Sequence, residues 1–483
     1  MGNLAAMLKE SGHTVTGSDQ ALYPPMSERL KEWNIEAAPF DRSRIYGDGR
    51  PRADLYIVGN VISRGNVEVE EVLDRNLPLT SMSAALYDFF LKGRRVQVIA
   101  GTHGKTTTSF LLHHILDSAG RRPGLFAGGI RGDRHPGYSL PESELFVIEG
   151  DEYDTAFFDK GPKFLHYRPT DLILTHVEFD HADIYASYEA YKRSFELLLR
   201  WIPSNGNVAA FVSSSGVREV ISSLPAGRLF WYGNKEEPLF QQPILAGHNH
   251  QSIVNAESYH YQRSSRSITL SDIGRADVDF IGGYNTANAL AASIIAKQLG
   301  VNDDQILKAL STFQGVLRRQ QIRRRVNLAN SEVIFIEDFA HHPTAVKLTI
   351  EAARQAYPNH RLIALYEPRS ATSHRNIFQY EYETAFDNAD EAYLADVFNP
   401  AKVAERDRLD VPSIVATINA KAGRPKAHFA ATTDSLVDTI GQLIKNTGSN
   451  QTQPMLILAM SNGSFGGIYP KIDRLIDDAL SGT

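Results

Sequence analysis

The sequence predicts an α/β protein of three domains, and three observations carry that expectation. Short apolar runs alternate with helix-period stretches along the chain, the pattern of parallel sheets covered by helices. A length of 483 residues corresponds to about three domains at roughly 150 residues each. The runs fall into three blocks, 1–92, 93–317 and 318–483, each with its own strand and helix rhythm.

In the first block, Leu4, Ala5, Met7 and Leu8 form an apolar helical stripe that stops at Ser11-Gly12-His13. A short strand over 14–17 ends on Ser18-Asp19, and a second over 55–58 ends on Gly59-Asn60 before a helix over 67–73. No strand precedes the first helix. A nucleotide-binding half begins with a strand and a glycine-rich turn, and Met1-Gly2 reads as a point partway through such a turn, so the expected start of this domain lies upstream.

The second block is expected to hold strands over 96–100, 145–148 and 172–175 and helices over 107–119 and 286–299, with 208–279 forming a satellite sheet. The third repeats the rhythm, with strands over 333–336, 362–365, 392–395 and 456–459. At their junction lies a basic run, Arg318-Arg319 and Arg323-Arg324-Arg325, which reads equally well as a solvated face or as an anion-facing hinge.

Fifty Lys and Arg against 56 Asp and Glu give a net charge of −6, which argues against a large nucleic-acid-binding face. Any polyphosphate must therefore be held by local geometry. The absence of cysteine excludes disulfides, thiolate metal sites and a cysteine nucleophile, leaving 16 histidines and the acids as possible metal ligands. No stretch approaches the ~20 apolar residues of a membrane span, and the first residues lack a secretory layout. A cytoplasmic protein without membrane, nucleic-acid or obligate protein partners is expected.

The sharpest signal is the apolar strand ending at Ala100, followed by Gly101-Thr102-His103-Gly104-Lys105-Thr106-Thr107 and a helix. Glycines let backbone N–H groups curl around an anion, and the following helix adds its positive N-terminus. Lys105 can reach terminal phosphates and the Thr106 hydroxyl can ligate Mg²⁺. Ile99 stands where the longer phosphate-loop pattern needs glycine, so the match is to a shorter form.

Two further strand ends carry ligand-type residues, Glu149-Gly150-Asp151-Glu152 and Thr175-His176-Val177-Glu178-Phe179-Asp180-His181. Ligands bind beyond the carboxyl ends of parallel strands, the edge that also holds the phosphate loop. Mostly oxygen donors with one imidazole suit Mg²⁺ or Mn²⁺ better than zinc. Glu149 and His181 read as metal ligands, and Asp151, Glu152 and Asp183 as surface acids capping helices. Asn285 and Asn288, three apart on one helical face, can read an adenine edge or a ribose.

Taken in order, these pieces resemble the Mur ligases, the ATP-dependent amide-forming enzymes of peptidoglycan assembly. The likeness spans nearly the whole chain through Gly101–Thr106, Glu149–Glu152, Glu178–His181, Tyr284–Asn288, Gly315–Arg319, Asp338–Thr344 and Ser461–Gly467. It implies a Rossmann-like N-terminal domain for a UDP-sugar, a P-loop ATPase-type central domain and a Rossmann-like C-terminal domain that closes over the site. It also implies that ATP and Mg²⁺ are required. By resemblance, Lys105 stabilises the transferring phosphoryl group, and Thr106, Glu149 and His181 hold Mg²⁺, with Glu178 and Thr107 as weaker candidates. Gly101 to Thr107, Asn285, Asn288, Arg319 and Asp338 contact ATP, and His341 or His342 touches phosphates or helps deprotonate the amine.

The His341-His342-Pro343-Thr344 form is similar to that of members acting on the bare lactyl carboxylate of UDP-N-acetylmuramate. Asp19 with Tyr23-Pro24-Pro25-Met26-Ser27, and Glu367-Pro368-Arg369-Ser370, are similar to the recycling member that attaches the intact tripeptide L-alanyl-γ-D-glutamyl-meso-diaminopimelate. Asp19, Arg369 and Ser370 are thus implied substrate contacts, and addition of L-alanine alone is the alternative. His176 stands where the family more often has Asn, and Ser464 replaces a frequent Gly. The carbamylated lysine of some members has no clear counterpart, although Lys192 is nearby.

Overall fold

The computed structural model describes residues 1–22, 26–234, 260–262, 266–270, 272–328, 331–450 and 453–481. Tyr23 to Pro25 lie outside them.

At the centre is a seven-stranded sheet in the order Arg228–Tyr232, Asn207–Phe211, Asp171–Leu174, Arg95–Ala100, Leu145–Gly150, Gly124–Phe126, Tyr138–Ser139. All neighbours are parallel except the last pair. A parallel sheet is covered on both faces, which is why its strands are apolar at successive positions rather than alternate ones. Val96, Val98 and Ala100 pack into one core and Ile99 into the other. The second core also receives the apolar faces of the helices Lys105–Ser118 and Gly283–Gln298. The latter is buried on nearly every side, as its run of alanines allows.

Two expectations change here. The strands Asn207–Phe211 and Arg228–Tyr232 extend the main sheet instead of joining a satellite. Among the described residues, the antiparallel satellite consists of His260–Gln262, Ser267–Leu270 and Gly274–Asp277. The reason is burial: Val208 to Phe211 and Leu229 to Tyr232 are apolar at every position and are covered on both faces, whereas Thr269 and Asp277 face solvent. Residues 235–259, also assigned to the satellite, lie outside the described residues.

The C-terminal sheet runs Gln321–Leu328, Ser331–Asp338, Met455–Met460, Arg361–Tyr366, Glu391–Ala395, Ala427–Ala430, antiparallel only at the first pair. It has a core on each face. In the N-terminal block the described strands form two parallel pairs, Thr16–Ser18 with Glu36–Ala38 and Tyr56–Val58 with Leu79–Ser81, and one antiparallel pair, Tyr46–Gly47 with Arg50–Pro51, rather than one continuous sheet.

The basic run divides by function. Arg318 and Arg323 both bond Glu337 on the second C-terminal strand, while Arg323 also holds Asp473 and Arg324 holds Asp477, so the latter two tie the first C-terminal strand to the last helix. Arg319 alone among the run turns towards the central sheet. No helix among the described residues is long and apolar enough to cross a membrane.

Candidate active site

The phosphate loop leaves the middle strand of the central sheet, where strands on both sides end at the same edge. Two of its glycines are required by geometry. Gly101 has φ +128° and approaches so closely that a Cβ would lie 2.7 Å from the His176 carbonyl oxygen. Gly104 has φ +81°, and a Cβ there would lie 2.7 Å from Asn288 Oδ1. No side chain caps the helix Lys105–Ser118, because its N-cap is Gly104. Its first-turn N–H groups are left for a ligand, as helix ends otherwise demand a capping partner. Gly104→Ala adds both a strained φ and this collision. We expect it to weaken ATP binding at least about tenfold, a loss of ~1.4 kcal/mol, measurable by calorimetric titration of the folded variant.

Lys105 folds back over the loop. Its Nζ donates to the Gly101 carbonyl at 2.7 Å and to Glu152 at 2.8 Å. Burial alone would lower the ammonium pKa, but the Glu152 carboxylate more than offsets it and holds the lysine above its ordinary value. Glu152 is fully buried and also receives His181 Nε2 at 3.0 Å. The expectation of a surface acid is therefore wrong for Glu152, which is the internal counter-ion of the loop lysine. Burial raises its pKa, yet Lys105 and His181 bring it below the usual carboxylate value. Asp151 pairs with Lys163 at 2.5 Å. This lysine was not anticipated.

On the other side of Lys105, Thr106 Oγ1 donates to Glu149 Oε1 at 2.8 Å, and Glu149 Oε2 accepts from the Gly128 amide at 2.7 Å. Arg319 arrives from the C-terminal sheet, with Nη2 3.5 Å from Thr106 Oγ1 and its guanidinium 4.4 Å from the Phe339 ring centre. Burial lowers its pKa, and Asp338 and Glu149 only partly restore it. An under-compensated guanidinium beside an uncapped helix start fits a triphosphate. The Thr106 hydroxyl and the Glu149 carboxylate in contact offer the oxygen donors that suit a hard divalent cation such as Mg²⁺, whereas His181 is bonded to Glu152 on the other side of Lys105.

Asn285 and Asn288 are both buried. Asn285 Nδ2 donates to Gln320 Oε1 at 2.9 Å, and Asn288 Nδ2 lies 3.4 Å from Asn285 Oδ1. Asp338 accepts from the Gln320 and Ala340 amides, each at 2.7 Å, and burial raises its pKa. Gln320 thus joins the asparagine pair to Asp338, a link that no local residue pattern signals.

The Thr102 hydroxyl donates to the Glu178 carbonyl and accepts from the Glu178 amide, both at 2.9 Å, so its side chain fastens two loops. The Thr107 side chain is buried. His103 turns to Glu178, with Nε2 3.1 Å from Oε2. His341 Nε2 lies 3.8 Å from Asp180, and the Ala182 amide donates to Thr372 at 3.3 Å, so loops beyond the carboxyl ends of the two sheets' strands meet here. Arg369 stacks on Phe398 at 3.7 Å, lies 3.6 Å from Glu367, and keeps Nη1 buried without a hydrogen-bond partner among the described residues. The Ser370 hydroxyl is 2.9 Å from that of Ser373. Asp19 is exposed and accepts from the Gln20 amide at 2.7 Å. Lys192 is a surface residue paired with Glu189 and Glu219.

Residues 1–94 match the domain described as Mur ligase family, catalytic domain, residues 99–296 the Mur ligase middle domain, and residues 318–462 the Mur ligase, glutamate ligase domain. The chain belongs to the Mur ligase family. It is 36% identical over 98% of its length to the UDP-N-acetylmuramate–L-alanyl-γ-D-glutamyl-meso-2,6-diaminoheptandioate ligase of Escherichia coli (strain K12), covering 95% of that protein. It is 30% identical over 91% of its length to the UDP-N-acetylmuramate–L-alanine ligase of Chlorobium phaeobacteroides (strain BS1), covering 89% of it. Among solved structures, a murein peptide ligase from Psychrobacter arcticus 273-4 superposes with a TM-score of 0.66 at 27% identity, with 100% of this chain and 97% of that one covered. In this Mur ligase the phosphate loop, both acidic strand ends and the hinge arginine therefore lie within regions that match the family.

Proposed function

We propose that this chain joins the lactyl carboxylate of UDP-N-acetylmuramate to the amino group of L-Ala-γ-D-Glu-meso-diaminopimelate, with cleavage of ATP to ADP and phosphate, in peptidoglycan recycling. The observation that carries the choice of substrates is the near full-length likeness to the Escherichia coli ligase named for this pair. The lactyl carboxylate attacks the γ-phosphorus and ADP leaves. The peptide amine then attacks the acyl carbonyl of the acyl phosphate, and the tetrahedral intermediate expels phosphate.

Both steps gather anions, so charge placement and positioning dominate the barrier. Gly101 to Thr107 wrap the phosphates, chiefly through backbone N–H groups. Lys105 moves from Glu152 to the transferring phosphoryl group, and Glu152 keeps its ammonium protonated. Arg319 meets the γ-phosphate from the hinge side. Asn285 and Asn288 face the adenine and Asp338 the ribose. Thr106, Glu149 and His181 would hold Mg²⁺, which when bound neutralises triphosphate charge. His341, held by Asp180, sits where the lobes meet and takes the proton of the attacking amine. Asp19 serves the UDP-sugar. An ATP-dependent reaction of this kind belongs to the cytoplasm and needs no protein partner.

Phosphate release with ATP, UDP-N-acetylmuramate and either tripeptide or L-alanine tests this assignment. Turnover with the tripeptide and little with L-alanine is expected, and the reverse would establish the L-alanine reading that the Chlorobium relative supports. Arg369 and Ser370 are assigned to the peptide, since a guanidinium can grip a carboxylate with two bonds. Arg369→Lys loses that fork and the stack on Phe398, so KM for the peptide rises about tenfold or more while KM for ATP holds. A change confined to ATP would remove the assignment.

A further inference from the structure

In the proposed reaction His103 serves the phosphates chiefly through its backbone, and its side chain joins a second cluster of ligand-type residues. His103 Nε2 is 3.1 Å and His342 Nδ1 3.7 Å from the same oxygen, Oε2 of Glu178. One donor atom from each residue lies within 4.8 Å of the other two. The three come from separate places: the phosphate loop, the segment after the strand Asp171–Leu174, and the start of the helix Pro343–Ala356 in the C-terminal lobe. We propose that His103, Glu178 and His342 form a binding site for a borderline divalent metal ion, with zinc the best fit, which fastens the phosphate loop to the C-terminal lobe.

The donor chemistry separates this site from the one assigned to magnesium. Two imidazoles and one carboxylate favour zinc-like ions, whereas Thr106 and Glu149 offer oxygen. The spacing also fits. Bonds of about 2.0–2.1 Å in a tetrahedron place ligand atoms roughly 3.3 Å apart, against 3.1 and 3.7 Å for the two separations from Glu178 and at most 4.8 Å for the one between the histidines. Three protein ligands leave a fourth position for water.

His342 supplies a second observation. It is buried, its ring centre is 4.8 Å from that of His103, and its Nδ1, the nitrogen nearest Glu178, accepts the Thr344 amide at 3.3 Å, a long hydrogen bond that a metal ion on this nitrogen would displace. Burial, reinforced by the charge of His103, lowers His342 to about 3, so it is neutral and ready to ligate at ordinary pH. Other groups near the cluster are His176, 5.6 Å from His103 ring to ring, and Asp180 and His341 on the neighbouring segments. The site does not depend on which peptide the enzyme uses.

The test is titration of the full chain, free of nucleotide, with Zn²⁺ by calorimetry and with Co²⁺ by visible absorption. Four proteins are compared: wild type, Glu149→Gln, Glu178→Gln and His342→Asn. Asparagine keeps the helix cap that His342 provides to the Thr344 amide, so this variant retains its fold. Wild type and Glu149→Gln are expected to bind one equivalent and show the intense bands of four-coordinate Co²⁺. Glu178→Gln and His342→Asn are expected to lose both signals. Absence of binding to wild type, or binding lost in Glu149→Gln and kept in His342→Asn, overturns the proposal.

Discussion

Lys105→Ala is expected to lower ligation by at least about 10²–10³ in kcat, the scale seen when a donor to developing charge is removed. The structure adds a second effect. Glu152 is wholly buried and Lys105 is its main positive partner, so the variant leaves a carboxylate inside the protein with His181 as its remaining cationic contact. Breaking one side of such a pair typically costs about 3–5 kcal/mol, so the variant should also melt at a lower temperature. The double variant Lys105→Ala/Glu152→Gln removes the orphaned charge. It is expected to regain most of the melting temperature and none of the turnover. If Lys105→Ala retains near-normal turnover, the lysine does not serve phosphoryl transfer. If the double variant melts no higher than the single one, Glu152 is not the counter-ion.

Asp171→Ala should be the most damaging substitution far from the chemistry. Asp171 is fully buried at the start of its strand, and Arg95 grips it with two bonds of 2.8 Å. It also accepts from the Gln97 amide at 3.1 Å and from the side-chain and backbone N–H groups of Asn207 at 2.6 and 3.2 Å. This one carboxylate pins three adjacent strands together at the edge opposite the phosphate loop. Alanine would leave several buried donors unpaired, and we expect a loss of about 3–5 kcal/mol. The urea midpoint should fall with little change in slope, as long as the native fold persists. Asp171→Asn keeps part of the network and should lose less. A midpoint within error of wild type for Asp171→Ala would show that the strands are held by their apolar faces alone.

Much of this was legible in advance because it is local. The strand ending at Ala100, the loop from Gly101 to Thr107 and the helix behind it follow from apolar runs, glycine freedom and helix-end chemistry, all within twenty residues. The parallel character of the C-terminal strands could likewise be read from their unbroken apolar stretches. Boundaries shifted by a residue or two. The helix after the loop starts at Lys105 rather than Thr107, because Gly104 in the left-handed region already closes the turn.

What could not be read depended on partners far away in sequence. Glu152 looks like any acid following a strand, and only the approach of Lys105 and His181 makes it an internal counter-ion. Arg319 was one of five similar arginines. The three others whose partners decide their fate are taken up by Glu337, Asp473 and Asp477, all contributed by other elements.

By itself the chain determined the α/β class, the phosphate loop and the kinship it shares with the Mur ligases, since those rest on short-range geometry and on residue order. Only the tertiary structure decided which charges are paired, which histidines meet and which arginine faces the cleft. Coulomb and hydrogen-bond energies act over a few ångströms of space, and burial, which sets their size, exists only once distant segments have packed.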